Sequence, residues 1–406
     1  MTSPFDLNLR HLEAAAAVAR LGGVSAAADA VNLSQPALTQ GLAKLEARLG
    51  HRLFDRHSAG ASPTAAGRLL ALRVERALNL LADGVRQVRR GLRLPPLGPV
   101  ARQVTMTQLR ALIGVERAGS YVAAAREAGV SQPSLHHAVR ELEGLLGAPM
   151  LAREGRAVRP TLAATRFVRP ARLALSELQA ALDELTALET GGAGRLVIGA
   201  MPLARAALLP STLARFSASR PAARIRVVEG PYPELLAGLL NGDIDCLIGA
   251  LRSPRPDPDV EQSPLFVDRL FVVAGAGHPL DGAASAEQLA HHPWVMSSPT
   301  APLFARWAAM FSSAGLAAPP VQVECGSVMA IRGLLLAGDW LTVLSEDQFR
   351  LEELAGLLKR IGGPISNSER SIGLTTRADW RPTALQADFL TELRGEVMRT
   401  RPQEFQ

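Results

Sequence analysis

One short phrase occurs twice in this sequence, and the distance between its copies constrains the fold more than any other feature. Ser34-Gln35-Pro36-Ala37-Leu38 returns as Ser131-Gln132-Pro133-Ser134-Leu135, an offset of 97 positions. At that offset the neighbourhoods align without a gap: Leu12 meets Leu109, Gly22 meets Gly119, and Ala26-Ala27-Ala28 meets Ala123-Ala124-Ala125. Further on, Leu45-Glu46 meets Leu142-Glu143, Leu49-Gly50 meets Leu146-Gly147, and Pro63-Thr64 meets Pro160-Thr161. About twenty identities fall between residues 12 and 67, too many for shared composition, so the N-terminal half is an internal duplication.

Each copy spells the same succession of elements. Leu9, Leu12, Ala16 and Ala19 recur at helical spacing and predict a helix over 7–20. Gly22-Gly23 ends it, and Ser25 is placed to cap a short alanine-rich helix over 26–31. After a tight turn at Asn32-Leu33, Ser34 caps the next helix, whose first turn tolerates Pro36 because its amides are unpaired there anyway. Leu38, Leu42, Leu45 and Leu49 form its apolar stripe; Gln35, Ala37, Thr39, Gln40, Gly41, Lys44 and Arg48 lie opposite. A short helix, a tight turn and a second helix with a small polar N-terminal face make a helix-turn-helix. Arg52 to Arg56 and Ala61-Ser62-Pro63 suggest two short strands of a wing, and Thr64 caps a long helix to about residue 91. Gly41 costs that recognition helix about 1 kcal/mol of propensity relative to Ala.

Leu94-Pro95-Pro96-Leu97-Gly98-Pro99 cannot continue a helix and reads as a stiff linker. In the second copy Leu135, Val139, Leu142 and Leu146 face inward, with Gln132, Ser134, His136, His137 and Arg140 outward. Its wing keeps Arg153, Arg156 and Arg159, and a second long helix runs from Thr161 to about 189 with a leucine-rich face.

From Arg195 the texture changes to alternating strands and helices. Strands are predicted at 195–200, 224–229, 244–249, 269–274, 321–325, 340–345 and 371–376, with helices between them and a last one at 383–399. That alternation argues for a mostly parallel α/β sheet.

The net charge of +6 is unevenly spread: about +5 lies in residues 1–92, about +3 in 93–190 and about −2 in the remainder. The duplicated half is thus the basic one, as a nucleic-acid-binding half would be. Two cysteines, Cys246 and Cys325, suit a reducing compartment, and no apolar run reaches a membrane span, so a cytoplasmic protein is expected. No phosphate loop, helical His-x-x-x-His or Cys-x-x-Cys occurs, so neither an enzyme, a metal site nor a cofactor is expected.

Residues 8–67 resemble the winged helix-turn-helix of LysR-type transcriptional regulators. The residues that carry the likeness are Leu9-Arg10-His11-Leu12, Ala26-Ala27, Leu33 to Leu38, Leu45-Glu46, Leu49-Gly50, Leu53-Phe54-Asp55-Arg56 and Pro63 to Gly67. The C-terminal half is similar to that family's effector-binding domain through Arg195 to Ala200, Gly242-Asp243-Ile244-Asp245, Gly277-His278-Pro279-Leu280 and Leu341 to Ser345. The implied fold is multidomain: two all-α winged helix-turn-helix modules, then an α/β periplasmic-binding-protein-like effector domain of two subdomains. The expected boundaries are 8–67, a long helix 68–92, a linker 93–104, 105–161, a dimerisation helix 162–190, and 195–400.

The resemblance places DNA contacts at Ser34, Gln35, Pro36, Ala37, Thr39 and Gln40, although the family usually has a basic residue where Gln40 stands. The corresponding second set is Ser131, Gln132, Pro133, Ser134, His136 and His137, with Arg156 and Arg159 on its wing. It places an effector at loops containing Met201, Pro202, Leu203, Ala204, Tyr232, Ala250, Leu251, Ser298, Thr300 and Ser327. Ser327 and Thr300 serve equally as helix caps, and Arg252 and Arg269 are better explained by surface or interdomain ion pairs than by an effector carboxylate. The implied partners are a double-stranded DNA operator, a small-molecule effector (a sugar or an aromatic-acid metabolite), a homodimer or homotetramer, and RNA polymerase. One reader per chain is the family norm. Three readings therefore stand open: both copies contact DNA, only the first does, or the second has become a packing element. A small-molecule-binding protein whose readers serve only oligomerisation is the alternative.

Overall fold

The computed structural model describes residues 2–57, 60–155 and 157–401. The first copy contains α1 (Leu9–Leu21), α2 (Val24–Ala30), α3 (Gln35–Leu49), β1 (Phe54–His57), β2 (Gly60–Pro63) and the long α4 (Ala65–Gly91). The second contains α5 (Met106–Ala118), α6 (Tyr121–Ala128), α7 (Gln132–Leu146), β3 (Leu151–Glu154), β4 (Ala157–Pro160) and α8 (Leu162–Thr190). Each α1, α3 and strand boundary maps onto its mate at the 97-residue offset.

Several of the identities shared by the two copies hold the unit together. Glu46 accepts the Leu53 amide at 2.7 Å, and Glu143 accepts the Met150 amide at 2.7 Å, so each recognition helix pins the start of its own wing. Thr64 caps α4 through the Gly67 amide while its hydroxyl donates to the Arg52 carbonyl at 2.8 Å; Thr161 repeats both contacts on Ala164 and Pro149. Gly22 and Gly119 end the first helices with φ of 71° and 62°, a left-handed conformation that glycine adopts without a Cβ penalty.

Gly41, expected on the outward face of α3, is buried. A Cβ there would come within 2.9 Å of His11 Cδ2 on α1, so close helix approach, not exposure, accounts for this glycine.

The long helices α4 and α8 pack antiparallel against one another within the same chain. Gly84 lies against Pro170 and Phe167, while near the other end Arg73 donates to Glu177 at 2.9 Å and to Glu184 at 2.7 Å. The two copies thereby share one apolar core, running from Leu7 through Leu81 to Leu112, Phe167 and Leu185. The linker does not stand off as a spacer: Arg89 donates to the carbonyls of Pro95 and Leu145 and folds it back onto α7.

The C-terminal domain has two five-stranded sheets. The first comprises β5 (Gly194–Ala200), β6 (Ala223–Val228), β7 (Cys246–Ala250), β8 (Val260–Asp268) and the returning β14 (Arg370–Arg377), in the order β6-β5-β7-β14-β8. The second comprises β9 (Leu270–Gly275), β10 (Trp294–Met296), β11 (Val321–Glu324), β12 (Leu341–Ser345) and β13 (Leu358–Ile361), in the order β11-β10-β12-β9-β13. Helices α9 (Leu208–Ser219), α10 (Tyr232–Leu240), α11 (Ala286–Ala290), α12 (Pro302–Ser312), α13 (Val328–Ala337), α14 (Glu346–Leu354) and α15 (Ala384–Thr400) cover them.

The expectation of a mostly parallel sheet is corrected. β5 runs parallel to β6 and β7, and β10 parallel to β11 and β12, but β14 and β9 are antiparallel to both of their neighbours. The cause is that the chain passes between sheets at β8–β9 and again before β14, which re-enters the first sheet from the opposite end. Strands β8, β10 and β13 are not among those expected from the sequence. β8 and β13 are edge strands, interrupted by Pro264 and by Lys359-Arg360, and β10 is only three residues long.

Candidate functional site: two DNA readers and a cleft

On α3 the residues Gln35, Pro36, Ala37 and Gln40 are exposed and Thr39 is half-buried, while Ser34 accepts the Ala37 amide as the N-cap. On α7 Gln132, Pro133, Ser134 and His137 are exposed, and Ser131 caps the helix through the Ser134 amide. Two side chains there are already engaged. His136 stacks on Tyr121 with ring centroids 3.6 Å apart, and His137 Nε2 lies 3.1 Å from Glu141. Arg159 is exposed on the wing, 3.9 Å from Glu154, and Arg153 donates to the Gly155 carbonyl. Arg156 lies outside the described residues. Both helices thus offer an exposed N-terminal polar face of the size a major groove accepts, that of α7 with its two histidines already held by Tyr121 and Glu141.

The second site lies between the two sheets. A cavity of about 310 Å³ is lined by Met201, Pro202, Leu203, Ala250 and Leu251 from the first subdomain, together with residues that face them from the second. Of the expected effector residues, Ala204 is buried in the core beside it, and Ser298, Thr300 and Ser327 do not line it. Ser298 instead pairs with Thr300 at 3.1 Å in a surface turn, and Ser327 caps α13 through the Ala330 amide. Tyr232 does not line the cavity either; its ring lies under the Arg252 guanidinium, 4.5 Å away, and burial raises its phenol pKa.

The residues that sequence reasoning missed come from the second subdomain. They include Ala301, Pro302, Leu303, Arg306, Thr342, Val343, Leu344 and Gln348, while Ser297 and Val328 line it from the expected loops in place of Ser298 and Ser327. Their signal was present in part, since the N-termini of α12 and α13 open onto the cavity, but nothing local marks which strand end faces which. Arg252 also lines it, and among the described residues no carboxylate pairs with Arg252 or Arg306. Arg269, by contrast, pairs with Glu369 on the surface at 2.9 Å.

Arg370 at the cavity edge pairs with the buried Asp268 at 2.6 Å, where the chain crosses between sheets. Burial pushes the Asp268 carboxyl up to about 6 against the opposing pull of Arg370. Among the described residues no group of acidic, His and Cys side chains is arranged to hold a metal ion, and no helix is long and apolar enough to cross a membrane.

Comparison with known proteins decides the family. The LysR substrate binding domain matches residues 189–397, and the bacterial regulatory helix-turn-helix of the lysR family matches twice, at 9–68 and 106–165. The chain belongs to the LysR family. It is a DNA-binding transcriptional regulator with a C-terminal effector-binding domain, in a family that is not enzymatic. The HTH-type transcriptional regulator GalR of Pseudomonas putida is 33% identical over 372 residues, covering 91% of this chain and 92% of that protein. PcaQ of Agrobacterium fabrum is 28% identical over 304 residues, 73% of this chain and 97% of its own.

Among solved structures, a single-substitution variant of full-length OxyR from Pseudomonas aeruginosa shares the fold with a TM-score of 0.53 at 23% identity, over 73% of this chain and 95% of its own. CbnR shares it with a TM-score of 0.51 at 24% identity, over 71% of this chain and 98% of its own. These matches use nearly all of the other protein and leave over a part of this LysR-family chain comparable in size to one repeat.

Proposed function

We propose that both recognition helices of this regulator contact operator DNA, through Gln35, Ala37, Thr39 and Gln40 on α3 and through Gln132, Ser134, His136 and His137 on α7. The observation that carries this reading is that both N-terminal faces remain exposed while the shared core is built from the opposite faces and the long helices. A copy retained only for packing would have no cause to keep a polar, capped helix entry turned to solvent. A gel shift with the full chain tests it. Gln35→Ala and Gln132→Ala should each weaken binding about 10-fold, as the loss of one bidentate base contact does. Loss from only one of them would reduce the protein to a single reader.

The effector we propose is a small organic anion with an apolar body, such as an aromatic acid, not a sugar. Apolar side chains make up most of the cavity wall, the polar Thr342, Gln348 and Arg370 are already bonded to Val295, Ser345 and Asp268, and Arg252 and Arg306 approach from opposite subdomains. An anion held by both would favour the closed cleft by bridging the two sheets.

The first subdomain rests on the helix pair. Arg73 and Arg76 donate to the carbonyls of Arg381 and Asp379 after β14, while Arg169 and Arg172 on α8 pair with Asp259 and Asp243 at 2.9 and 3.0 Å. Cleft closure therefore pulls on the elements that carry the readers, in a cytoplasmic regulator that acts on RNA polymerase at the promoter. Calorimetric titration with benzoate-type acids and with hexoses tests the effector class. Ala250→Trp, which fills the cavity, should abolish binding of the acids; tight hexose binding would refute the class.

A further inference from the structure

The contacts between the two copies come in mated pairs. The short 3₁₀ turn at Pro4–Asp6, ahead of α1, packs on α5 and α8, and the turn at Val100–Arg102, ahead of α5, packs on α1 and α4. Arg110 stands over the Phe5 ring at 4.9 Å; the 97-residue offset turns that pair into Arg102 and Glu13, which are in contact at 3.6 Å. The Gly84–Pro170 contact maps likewise onto position 73 against 181, where Arg73 reaches the flanking Glu177 and Glu184. Contacts that exchange their two ends in this way mark a two-fold interface. Here it relates two parts of one chain.

The mated contacts have the same places but different chemistry, and the difference selects the pairing. If two first copies met across the same interface, Arg73 would face the positions of Leu80 and Gln87, and Phe5 would face Glu13. If two second copies met, Glu177 and Glu184 would face Pro170, and Arg102 would face Arg110. Arg73 is 1% exposed. Like-with-like pairing therefore strands a buried guanidinium in one case and two nearly buried carboxylates in the other, and adds a repulsion. Only unlike pairing satisfies all of them. The tether of residues 92–105 supplies the unlike partner at high effective concentration.

The two helices so paired are not equivalent readers. After the shared Ser-Gln-Pro, the outward positions differ throughout: Ala37 against Ser134, Thr39 against His136, Gln40 against His137, Lys44 against Glu141. We infer that one chain is a complete two-headed reader whose DNA partner is a duplex with two inverted but unlike half-sites. The halves share the base pair met by Gln35 and Gln132, and diverge where Thr39 and Gln40 meet one half and His136 and His137 the other. This rests on the reading that both helices contact DNA.

The test is selection of binding sites from a random-sequence duplex pool with the full-length chain, repeated with two variants at exposed or half-exposed positions. The wild type should enrich an imperfect inverted repeat. Thr39→His with Gln40→His should change one half only and move the site toward symmetry. His136→Thr with His137→Gln should change the other half only, and each variant should bind the wild-type site about 10-fold more weakly. A perfect inverted repeat whose halves both respond to the first variant and ignore the second would overturn the inference while leaving DNA binding intact. No enriched site at all would overturn both.

Discussion

The two copies of the helix-turn-helix unit share their helix and strand boundaries and the hydrogen bonds that tie recognition helix to wing and wing to long helix, yet they differ at nearly every surface that meets something else. Glu46 and Glu143, Thr64 and Thr161, and the left-handed glycines perform one local task twice, so drift there is penalised twice by the same physics. Positions 73 and 170, 11 and 108, or 39 and 136 meet different neighbours in the two copies, and these have diverged. The comparison teaches that duplication released the interface from self-complementarity. A homodimer must pair each residue with the symmetry mate of its partner, whereas this chain can place an arginine on one side and two glutamates on the other.

The largest break in that comparison is at Arg73, whose pKa is raised because its bonds to Glu184 and Glu177 outweigh the burial that opposes its charge. Among the described residues Arg73→Ala leaves Glu184 without a partner and Glu177 with Arg76 alone, and should lower unfolding free energy by ~3 kcal/mol in urea titration. Pro170→Ala, the mated position, removes no charge partner and should cost much less. Equal losses would show that the charge triad does not specify the seam.

Next in size is the helix approach at Gly41. Gly41→Val drives a side chain into His11 and should cost ~1–3 kcal/mol, while Ala138→Gly in the second copy should cost only ~1 kcal/mol from lost helix propensity. Thermal denaturation of both variants distinguishes the tight first copy from the looser second. The caps sharpen the comparison from the other side. Thr64→Ala and Thr161→Ala should each cost ~1 kcal/mol, and a difference larger than that between them would reveal context that the shared hydrogen bonds do not show.

The smallest effect is in pH. The pKa of His11 is lowered by burial and by Lys44, so the folded state resists its protonation. Its contribution to stability is present above the unfolded value of about 6.5 and is lost as pH falls through the lower folded value. His11→Gln installs the residue found at the mated position, Gln108, and should flatten that acid-side slope in denaturant titrations run across pH 5 to 7. An unchanged slope would place the titration elsewhere.

Much of this molecule is legible in its sequence. The repeat, the recognition and long helices with their caps at Ser34 and Thr64, and the seven main effector-domain strands follow from spacing and capping chemistry, which act over a few residues and leave periodic traces. Ser25, expected to cap the short helix, instead lies inside α2, which starts at Val24 after Gly23. The edge strands β8 and β13 left no such trace, because a strand paired on one side need not be continuously apolar. Gly41 read as an exposed weakness for the same reason: the sequence records an absent side chain but not the ring packed against it.

The amino-acid sequence by itself determined that this protein carries two helix-turn-helix units and one cleft domain. Only the tertiary structure decided that the two units are partners to one another, and which residues close the cavity across from Met201 and Leu251. Those groupings bring together residues about a hundred positions apart, as Arg73 with Glu177 or Leu203 with Arg306. No local preference encodes them; the complementarity of surfaces brought together by the whole fold does.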